Sequence, residues 1–182
     1  CALGGSGLSV AVVEAQSLSA QWPPLETAID GYDARVSALT VASQQFLDSL
    51  GVWQAVAERR ISPYRHMQVW DAEGTGSIEF NAEEINQPLL GHIVENRLLV
   101  AALLARLAQH SNVEMLSPLR VASMPHGDGS RRLQMDDGSV LQATLIVAAD
   151  GANSRIRELA GIATTEWDYE QHALVATVKT AQ

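Results

Sequence analysis

The sequence has little of what a secreted, membrane-spanning or nucleic-acid-binding protein needs. Its 182 residues include one cysteine, Cys1, so no internal disulfide can form and secretion gains no support. No stretch reaches the roughly 18 uninterrupted apolar residues of a spanning helix, and no positively charged leader precedes an apolar segment. Lys and Arg number 12 against 21 Asp and Glu, which gives a net charge of −9 at pH 7. We therefore do not expect a nucleic-acid partner.

Motifs for metal or hydrolytic chemistry are also missing. No pair of histidines shares a helix face at a ligand spacing, so a metal site is not expected. No G-x-S-x-G motif is present, which leaves hydrolase chemistry without a recognisable nucleophile. The histidines are His66, His92, His110, His126 and His172.

The composition is that of a globular protein, with 47% hydrophobic and 18% charged residues. This length can form one good core or about one and a half domains. The chain opens on Cys1, with Cys1–Leu3 resembling the last turn of a helix, and it stops just after an apolar run. We expect it to be an internal segment of a longer protein.

The most informative stretch runs from Leu145 to Arg157. The apolar run Leu145–Ala149 predicts a strand covered on both faces, and Asp150-Gly151 predicts a sharp turn. Asn153 and Ser154 can cap a helix that begins near Arg155. Ligands of open α/β sheets bind beyond the carboxyl ends of the strands, so Asp150 and Gly151 are candidates for contact with a phosphate or ribose. The alternative is an ordinary connection between a strand and a helix.

A second acidic strand end lies near the start of the chain. Glycines at positions 4, 5 and 7 precede a predicted strand, Leu8–Val13, which Glu14 closes. This order is typical of the second half of a Rossmann βαβ unit, in which such an acid accepts hydrogen bonds from an adenosine ribose. A solvated strand end is the alternative for Glu14. The G-x-G-x-x-G fingerprint itself is expected upstream of Cys1.

Other segments are predicted from periodicity and breakers. We predict helices over Thr40–Leu50 and Trp53–Arg60, a break at Ser62-Pro63, and an amphipathic helix from about Asn96 to Leu107. Met67–Trp70 and Ser77–Phe80 alternate and predict a hairpin. We also predict loops at Ser17–Gly31 and Glu83–Gly91 and hairpin turns at 127–129 and 136–138. Further short strands are predicted near Val113–Leu116, Leu119–Ser123 and Ala173–Val178.

Three motifs together resemble one enzyme family. Ala-Asp-Gly-Ala-Asn-Ser-x-x-Arg, at 149–157, resembles the "DG" motif of the class A FAD monooxygenases. The pattern D-x-R-x-x-A-L from Asp33, continuing to Trp53, resembles the ubiquinone-biosynthesis hydroxylase branch of that family. V-E-N-R-x-L from Val94 resembles the same branch.

The resemblance implies a fold and a domain layout. The implied fold is α/β, with a Rossmann-like FAD-binding domain of the glutathione-reductase and p-hydroxybenzoate-hydroxylase type and part of a β-rich substrate domain. Residues 1–63 and 94–163 would form the incomplete FAD-binding domain, without its first strand and glycine motif. Residues 64–93 and 166–182 would belong to the substrate domain. We expect the chain alone to bind no FAD with useful affinity.

The resemblance also implies cofactor contacts. Arg35 and Arg97 would lie beside FAD, for which a guanidinium offers a planar set of donors. The backbone near Val121 would meet the adenine, and Glu14, Asp150 and Gly151 take the roles described above. Surface ion pairing is the alternative for both arginines. We nominate no catalytic base, because the cofactor carries the hard chemistry.

The implied activity is hydroxylation of a polyprenylated phenol in ubiquinone biosynthesis. FAD would be reduced by NADH or NADPH and react with O₂ to form a flavin C4a-hydroperoxide. A lipid substrate implies peripheral contact with the inner membrane of a bacterium from the cytoplasmic side, and assembly into a ubiquinone-biosynthesis complex or a homo-oligomer stays open. Two alternatives stay open: an FAD enzyme of the same fold with other chemistry, such as a prenyl reductase, and a scaffold without catalysis.

Overall fold

The computed structural model describes residues 1–25, 31–125 and 131–180. The described residues divide into two compact units. The first unit is Cys1–Leu8, Ser19–Val113 and Leu174–Gln182, and the second is Ser9–Leu18 and Glu114–Ala173. The elements in chain order are β1 (Val10–Val13), β2 (Val36–Thr40), α1 (Val41–Ser49), α2 (Trp53–Ala57), β3 (Ile61–Tyr64), β4 (His66–Trp70), β5 (Ser77–Asn81), a 3₁₀ helix (Ala82–Ile85), β6 (Gly91–Glu95), α3 (Asn96–Leu107), β7 (Val113–Leu116), β8 (Val121–Ser123), β9 (Arg131–Met135), β10 (Val140–Ala143) and α4 (Arg155–Leu159).

A three-stranded antiparallel sheet organises the first unit, with β6 at its centre between β2 and β3. Helix α3 continues directly from β6. It buries Leu98, Ala101 and Ala102, which recur at the i, i+3, i+4 spacing of one helix face. The core cluster of buried residues consists of Leu47, Val52, Trp53, Val56, Val94 and Ala102. The sheet and the helices α1 to α3 thus share one apolar core.

Local signals in the sequence explain where α1 begins and ends. The hydroxyl of Thr40 accepts a hydrogen bond from the backbone N–H of Ser43 at 3.3 Å, which caps the first turn. Gly51 follows the helix with a φ of +70°, a conformation that glycine adopts without steric cost. The predicted helix over Thr40–Leu50 is therefore confirmed within a residue at each end.

The predicted hairpin is confirmed as β4 and β5, which pair antiparallel from His66↔Asn81 to Trp70↔Ser77. Large apolar side chains on it are exposed, including Trp70 at 67%. A 3₁₀ helix follows at once, capped by the side chain of Asn81, which accepts from the N–H of Glu83. The hairpin therefore adds little apolar burial to the core of the first unit.

The second unit contains a strand pair and a small meander. Strand β1 pairs with β7, and the order β10-β9-β8 forms an antiparallel three-stranded sheet. The turn predicted at 136–138 is confirmed, because Gly138 has a φ of +85° and its N–H donates to Met135 at 3.1 Å. The turn predicted at 127–129 and part of the predicted loop at 17–31 lie outside the described residues.

Two predicted strands are wrong. Leu145–Ala149 and Ala173–Val178 have no regular structure, and Val147 and Leu174 are 74% and 98% exposed. A strand exists only when a neighbour accepts and donates its ladder hydrogen bonds, so an apolar run cannot become one by its own composition. Among the described residues, neither segment meets such a neighbour.

Smaller differences have local causes. Cys1–Leu3 belong to a turn rather than to a helix, because Gly4 donates to the carbonyl of Cys1 at 2.7 Å. The helix predicted over Trp53–Arg60 ends at Ala57. Ile61–Tyr64, where we expected only a break, forms β3 at an edge of the sheet, a position that tolerates its proline. No helix among the described residues is both long and apolar enough to cross a membrane.

Candidate functional site

A buried carboxylate lies at the end of β6. The side chain of Glu95 is 5% exposed, and it accepts hydrogen bonds from Arg60 Nη1 at 3.0 Å and Arg97 Nε at 2.7 Å. Its Oε2 also accepts from the backbone N–H of Asp33 at 3.1 Å. A buried charge is costly unless it is paired and hydrogen-bonded, and Glu95 meets both conditions. We refer to Arg60, Glu95 and Arg97 as the carboxylate cluster.

The carboxylate cluster also holds the segment that precedes β2. The carbonyl oxygen of Gly31 accepts from Arg97 Nη2 at 2.5 Å and from Arg60 Nη1 at 3.1 Å. The guanidinium of Arg60 lies 4.1 Å from the centre of the Tyr32 ring, a cation–π distance. The backbone from Gly31 to Asp33 is thus fixed by donors and an acceptor that lie far from it in sequence.

Arg35 follows that segment, and its backbone is held on both sides. Its N–H donates to Asp33 Oδ1 at 3.0 Å, and its carbonyl accepts from the N–H of Asn96 at 3.0 Å. Its side chain is exposed and has no hydrogen bond or ion pair with the described residues. Glu95, at the N-cap of α3, makes no side-chain cap bond, and the Arg35 carbonyl is instead the acceptor that the structure shows for the first N–H of that helix. The backbone of Arg35 is therefore bonded to the start of α3, while its guanidinium is exposed to solvent.

Glu14 directly follows β1 in the second unit. Its backbone N–H donates to Leu116 at 3.0 Å, and its carbonyl accepts from Leu119 at 2.9 Å. One carboxylate oxygen accepts from the N–H of Gln16 at 2.7 Å. The other carboxylate oxygen makes no hydrogen bond to the described residues. Glu14 is therefore held in place with one acceptor oxygen available.

Asp150 and Gly151 form the turn that leads into α4. Gly151 has a φ of +86°, as the sharp turn requires. Asp150 accepts from the hydroxyl of Ser154 at 2.5 Å and from the N–H of Ile156 at 3.1 Å. Ser154 in turn accepts from the N–H of Arg157 at 3.0 Å, which makes it the predicted N-cap. The hydrogen bond from Ser154, more than that from Ile156, lowers the pKa of the Asp150 carboxyl.

Val121 begins β8 and is half-buried opposite Met135. Its side chain carries no polar group, so any contact with an adenine would be apolar or through its backbone. The structure gives it no distinguishing geometry, and its role stays a prediction.

The structure brings some predicted residues together. Arg35 and Arg97 are neighbours in the first unit, linked through the bond between Arg35 and Asn96. Among the described residues, the side chains of Glu14 and Asp150 each bond only within their own segment. Sequence reasoning missed Arg60 and Glu95. The acid within the V-E-N-R motif was the available signal, because a charge at the end of an otherwise apolar strand needs a partner.

No metal site emerges from the described part of the chain, where no three His, Cys, Asp or Glu side chains come close enough to share an ion. The first unit offers cations and a helix start, and the second unit offers carboxylates that accept hydrogen bonds. These groups are suited to binding a phosphate- and ribose-bearing molecule.

Comparison with known proteins identifies relatives, although no family model matches the sequence. The chain is 39% identical over 147 residues to the 3-demethoxyubiquinol 3-hydroxylase of Escherichia coli, covering 81% of this chain and 37% of that protein. It is 33% identical over 179 residues to the ubiquinone hydroxylase UbiL of Rhodospirillum rubrum, covering 98% and 40%. It is 33% identical over 164 residues to the mitochondrial ubiquinone biosynthesis monooxygenase COQ6 of Xenopus tropicalis, covering 85% and 35%. The chain thus spans 35% to 40% of the length of these relatives.

Solved structures confirm the predicted fold class. A probable FAD-dependent monooxygenase from Pseudomonas aeruginosa, pqsL, superposes with a TM-score of 0.66 at 22% identity, covering 92% of this chain and 43% of that one. The flavin-dependent monooxygenase PieE, solved with FAD and substrate, superposes with a TM-score of 0.65 at 16% identity, covering 89% and 29%. At these identities the likeness concerns the fold, which is that of the p-hydroxybenzoate-hydroxylase type.

Proposed function

We propose that this chain, which belongs to the ubiquinone-biosynthesis hydroxylase family of FAD-dependent monooxygenases, is part of an enzyme that hydroxylates a polyprenylated phenol with O₂ and NAD(P)H. The main support for the proposal is the arrangement of Arg35 and the start of α3 in the first unit, taken together with the membership of the chain in this family. The exposed guanidinium of Arg35 and the start of α3 belong to one hydrogen-bonded region, because the Arg35 carbonyl accepts from the N–H of Asn96. Both are suited to the anionic and oxygen-rich parts of a dinucleotide.

The residues present fit FAD. Arg35 has all its side-chain donors available among the described residues, and Arg97 keeps Nη1 after its other two nitrogens are used. Glu14 keeps one carboxylate oxygen to accept a ribose hydroxyl. We assign these three residues to cofactor binding, with Val121, Asp150 and Gly151 as further contacts of the turn and strand segments.

Bound FAD would supply the activation of O₂, and the protein would supply binding and orientation. Arg35 and Arg97 would hold the cofactor by charge-assisted hydrogen bonds, which are shorter and stronger than neutral ones. Asp150 stays ionised down to low pH because two donors point at it, so it fixes the start of α4 rather than exchanging protons near neutrality. None of the assigned residues acts as a general base in this account.

The substrate and the setting follow from the relatives' names. A ubiquinone hydroxylase and a 3-demethoxyubiquinol 3-hydroxylase act on quinol-type rings. A polyprenylated ring lies in a bilayer, so we propose peripheral contact with the cytoplasmic side of a bacterial inner membrane. Assembly into a homo-oligomer or a ubiquinone-biosynthesis complex is part of the same proposal.

The test uses the natural full-length protein. Purified protein should carry a flavin that absorbs at about 450 nm, and acid extraction should release FAD. With NADPH, air and a detergent-dispersed polyprenyl phenol, the product should gain one oxygen atom by mass spectrometry. A flavin-bearing protein that instead saturates the prenyl chain would identify a reductase, and a protein that never carries flavin would identify a scaffold.

A further inference from the structure

The carboxylate of Glu95 is buried and accepts three hydrogen bonds, and the function proposed above gives it no task. Resting on that function, we propose that Glu95 is a positioning residue that fixes the segment Gly31–Arg35 so that the Arg35 guanidinium meets FAD. The proposal concerns how the binding site is built, because Glu95 itself is buried and its carboxylate is engaged by three protein donors.

Every strong contact of Glu95 converges on this segment. One contact is direct, from Glu95 Oε2 to the N–H of Asp33 at 3.1 Å. The others pass through Arg60 and Arg97, each of which bonds both to Glu95 and to the Gly31 carbonyl. The carboxylate thus orients two cations whose remaining donors hold the same backbone oxygen.

Asp33 links Glu95 to Arg35 through two hydrogen bonds. While Glu95 holds the Asp33 N–H, the Asp33 side chain accepts from the N–H of Arg35 at 3.0 Å. The residue after Glu95, Asn96, donates its own N–H to the Arg35 carbonyl at 3.0 Å. Both backbone groups of Arg35 are therefore tied to groups that Glu95 places, while its side chain stays exposed.

Charge makes the arrangement depend on a carboxylate rather than on any acceptor. Arg60 and Arg97 approach the same carbonyl, and without an anion between them they would repel each other. Glu95→Gln keeps the shape and removes the charge, so both guanidinium groups lose a charge-assisted partner. The segment should then sample other conformations, and Arg35 would have to be ordered when FAD binds, which lowers affinity.

The experiment is a double-mutant cycle on the full-length apoprotein, with the dissociation constant for FAD measured by flavin fluorescence. Arg35→Gln should weaken binding roughly 10- to 100-fold, and Glu95→Gln about tenfold. Because Glu95 acts through Arg35, adding Glu95→Gln to Arg35→Gln should cause almost no further loss. Glu95→Asp, which keeps the charge, should recover part of the affinity.

A matched control separates positioning from general destabilisation. Val94→Ala lies in the same strand and opens a cavity in the core cluster, and Val94 pairs with Ser37 of β2 rather than with a residue of the segment. Its effect on FAD affinity should be small, and it should be the same in the wild-type background as in the Arg35→Gln background. A second variant, Asp33→Ala, removes the side-chain acceptor of the Arg35 N–H at a half-buried residue. It too should have no added effect on FAD affinity once Arg35 is replaced. This variant keeps the test decisive if Glu95→Gln does not fold.

Proteolysis supplies a readout that does not involve FAD. Trypsin should cut after Arg35 faster in Glu95→Gln apoprotein than in the wild type or in Val94→Ala, because the segment opens locally. If the losses of FAD affinity in Glu95→Gln and Arg35→Gln are additive, and trypsin cleavage after Arg35 is unchanged in Glu95→Gln, the positioning role is wrong. The proposed function would not be affected by that result. If Arg35→Gln binds FAD as the wild type does, the positioning role falls with the Arg35 assignment, although FAD binding itself stands. A wild-type protein that binds no FAD would overturn the proposed function.

Discussion

Among the described glycines, Gly91 at the start of β6 is the one where an added methyl group should be most destabilising. It is buried, and it pairs with Thr40 of β2 on one side and with Tyr64 of β3 on the other. A Cβ built at Gly91 would overlap the carbonyl oxygen of Leu39 and would lie 3.0 Å from its carbonyl carbon and from Tyr64 Cε1. Because the first of these is backbone, no side-chain rotation relieves the overlap.

The loss of stability expected for Gly91→Ala depends on which strand has to move. To accept the methyl group, β2 has to shift away from β6, which overpacks the neighbouring region and weakens the ladder between the strands. Overpacking costs about 1–3 kcal/mol and a lost ladder hydrogen bond about 1 kcal/mol, so we expect the free energy of unfolding to fall by about 2–4 kcal/mol. The shift also reaches the site, since β2 follows Arg35 and β6 ends at Glu95.

The assay is urea unfolding of the full-length protein, followed by tryptophan fluorescence. The matched control is Gly76→Ala in the β4–β5 connection, where an added Cβ meets nothing within 4 Å. That variant should stay within about 0.5 kcal/mol of the wild type. If Gly91→Ala is as stable as Gly76→Ala, the close approach of β2 to β6 is not as described here.

Three further predictions concern separate parts of the chain. Glu14→Ala should weaken FAD binding, measured by flavin fluorescence, while leaving the unfolding midpoint unchanged; equal affinity would remove Glu14 from the ribose site. Asp150→Asn should destabilise the protein at neutral pH. Because the folded pKa of Asp150 is lowered, this stabilisation is present above the usual carboxyl pKa and lost as pH falls through the lowered one, so wild type and variant should converge in acid. Val56→Ala, at a fully buried position, should cost about 2 kcal/mol in urea unfolding, whereas Val69→Ala on the exposed hairpin should cost less than about 0.5 kcal/mol.

Local signals in the sequence predicted the local structure well. The cap at Ser154, the cap at Thr40 and the β4–β5 hairpin are each formed by residues close in sequence. Capping bonds and tight pairing depend on side chains within a few positions, which the sequence displays directly. Such features could be read without knowledge of the rest of the fold.

Long-range pairing explains what the sequence did not predict. The apolar run Leu145–Ala149 has strand composition but meets no partner strand among the described residues. In β3 the proline at position 63 argued for a break, and only its place at the sheet edge makes a strand compatible with it. Strand formation in both cases depends on residues far along the chain.

The same distinction between local and long-range contacts separates the site residues that the sequence predicted from those that it did not. The motifs identified Arg35 and Arg97, because those residue types suit an anionic cofactor. They did not identify Glu95 as the centre, because its partners Arg60 and Asp33 are 35 and 62 residues away. A buried acid shows its role only when the chain has brought its donors together.

The most direct test of the central claim follows the oxygen atom. Full-length protein with bound FAD, given NADPH, a polyprenyl phenol and isotopically labelled O₂, should yield a hydroxylated product that carries one labelled atom. Protein stripped of FAD should yield none until FAD is restored. A product whose new oxygen comes from water, or a flavin-loaded protein that leaves the ring unchanged while NADPH reduces the prenyl chain, would contradict the assignment as an FAD-dependent ring hydroxylase.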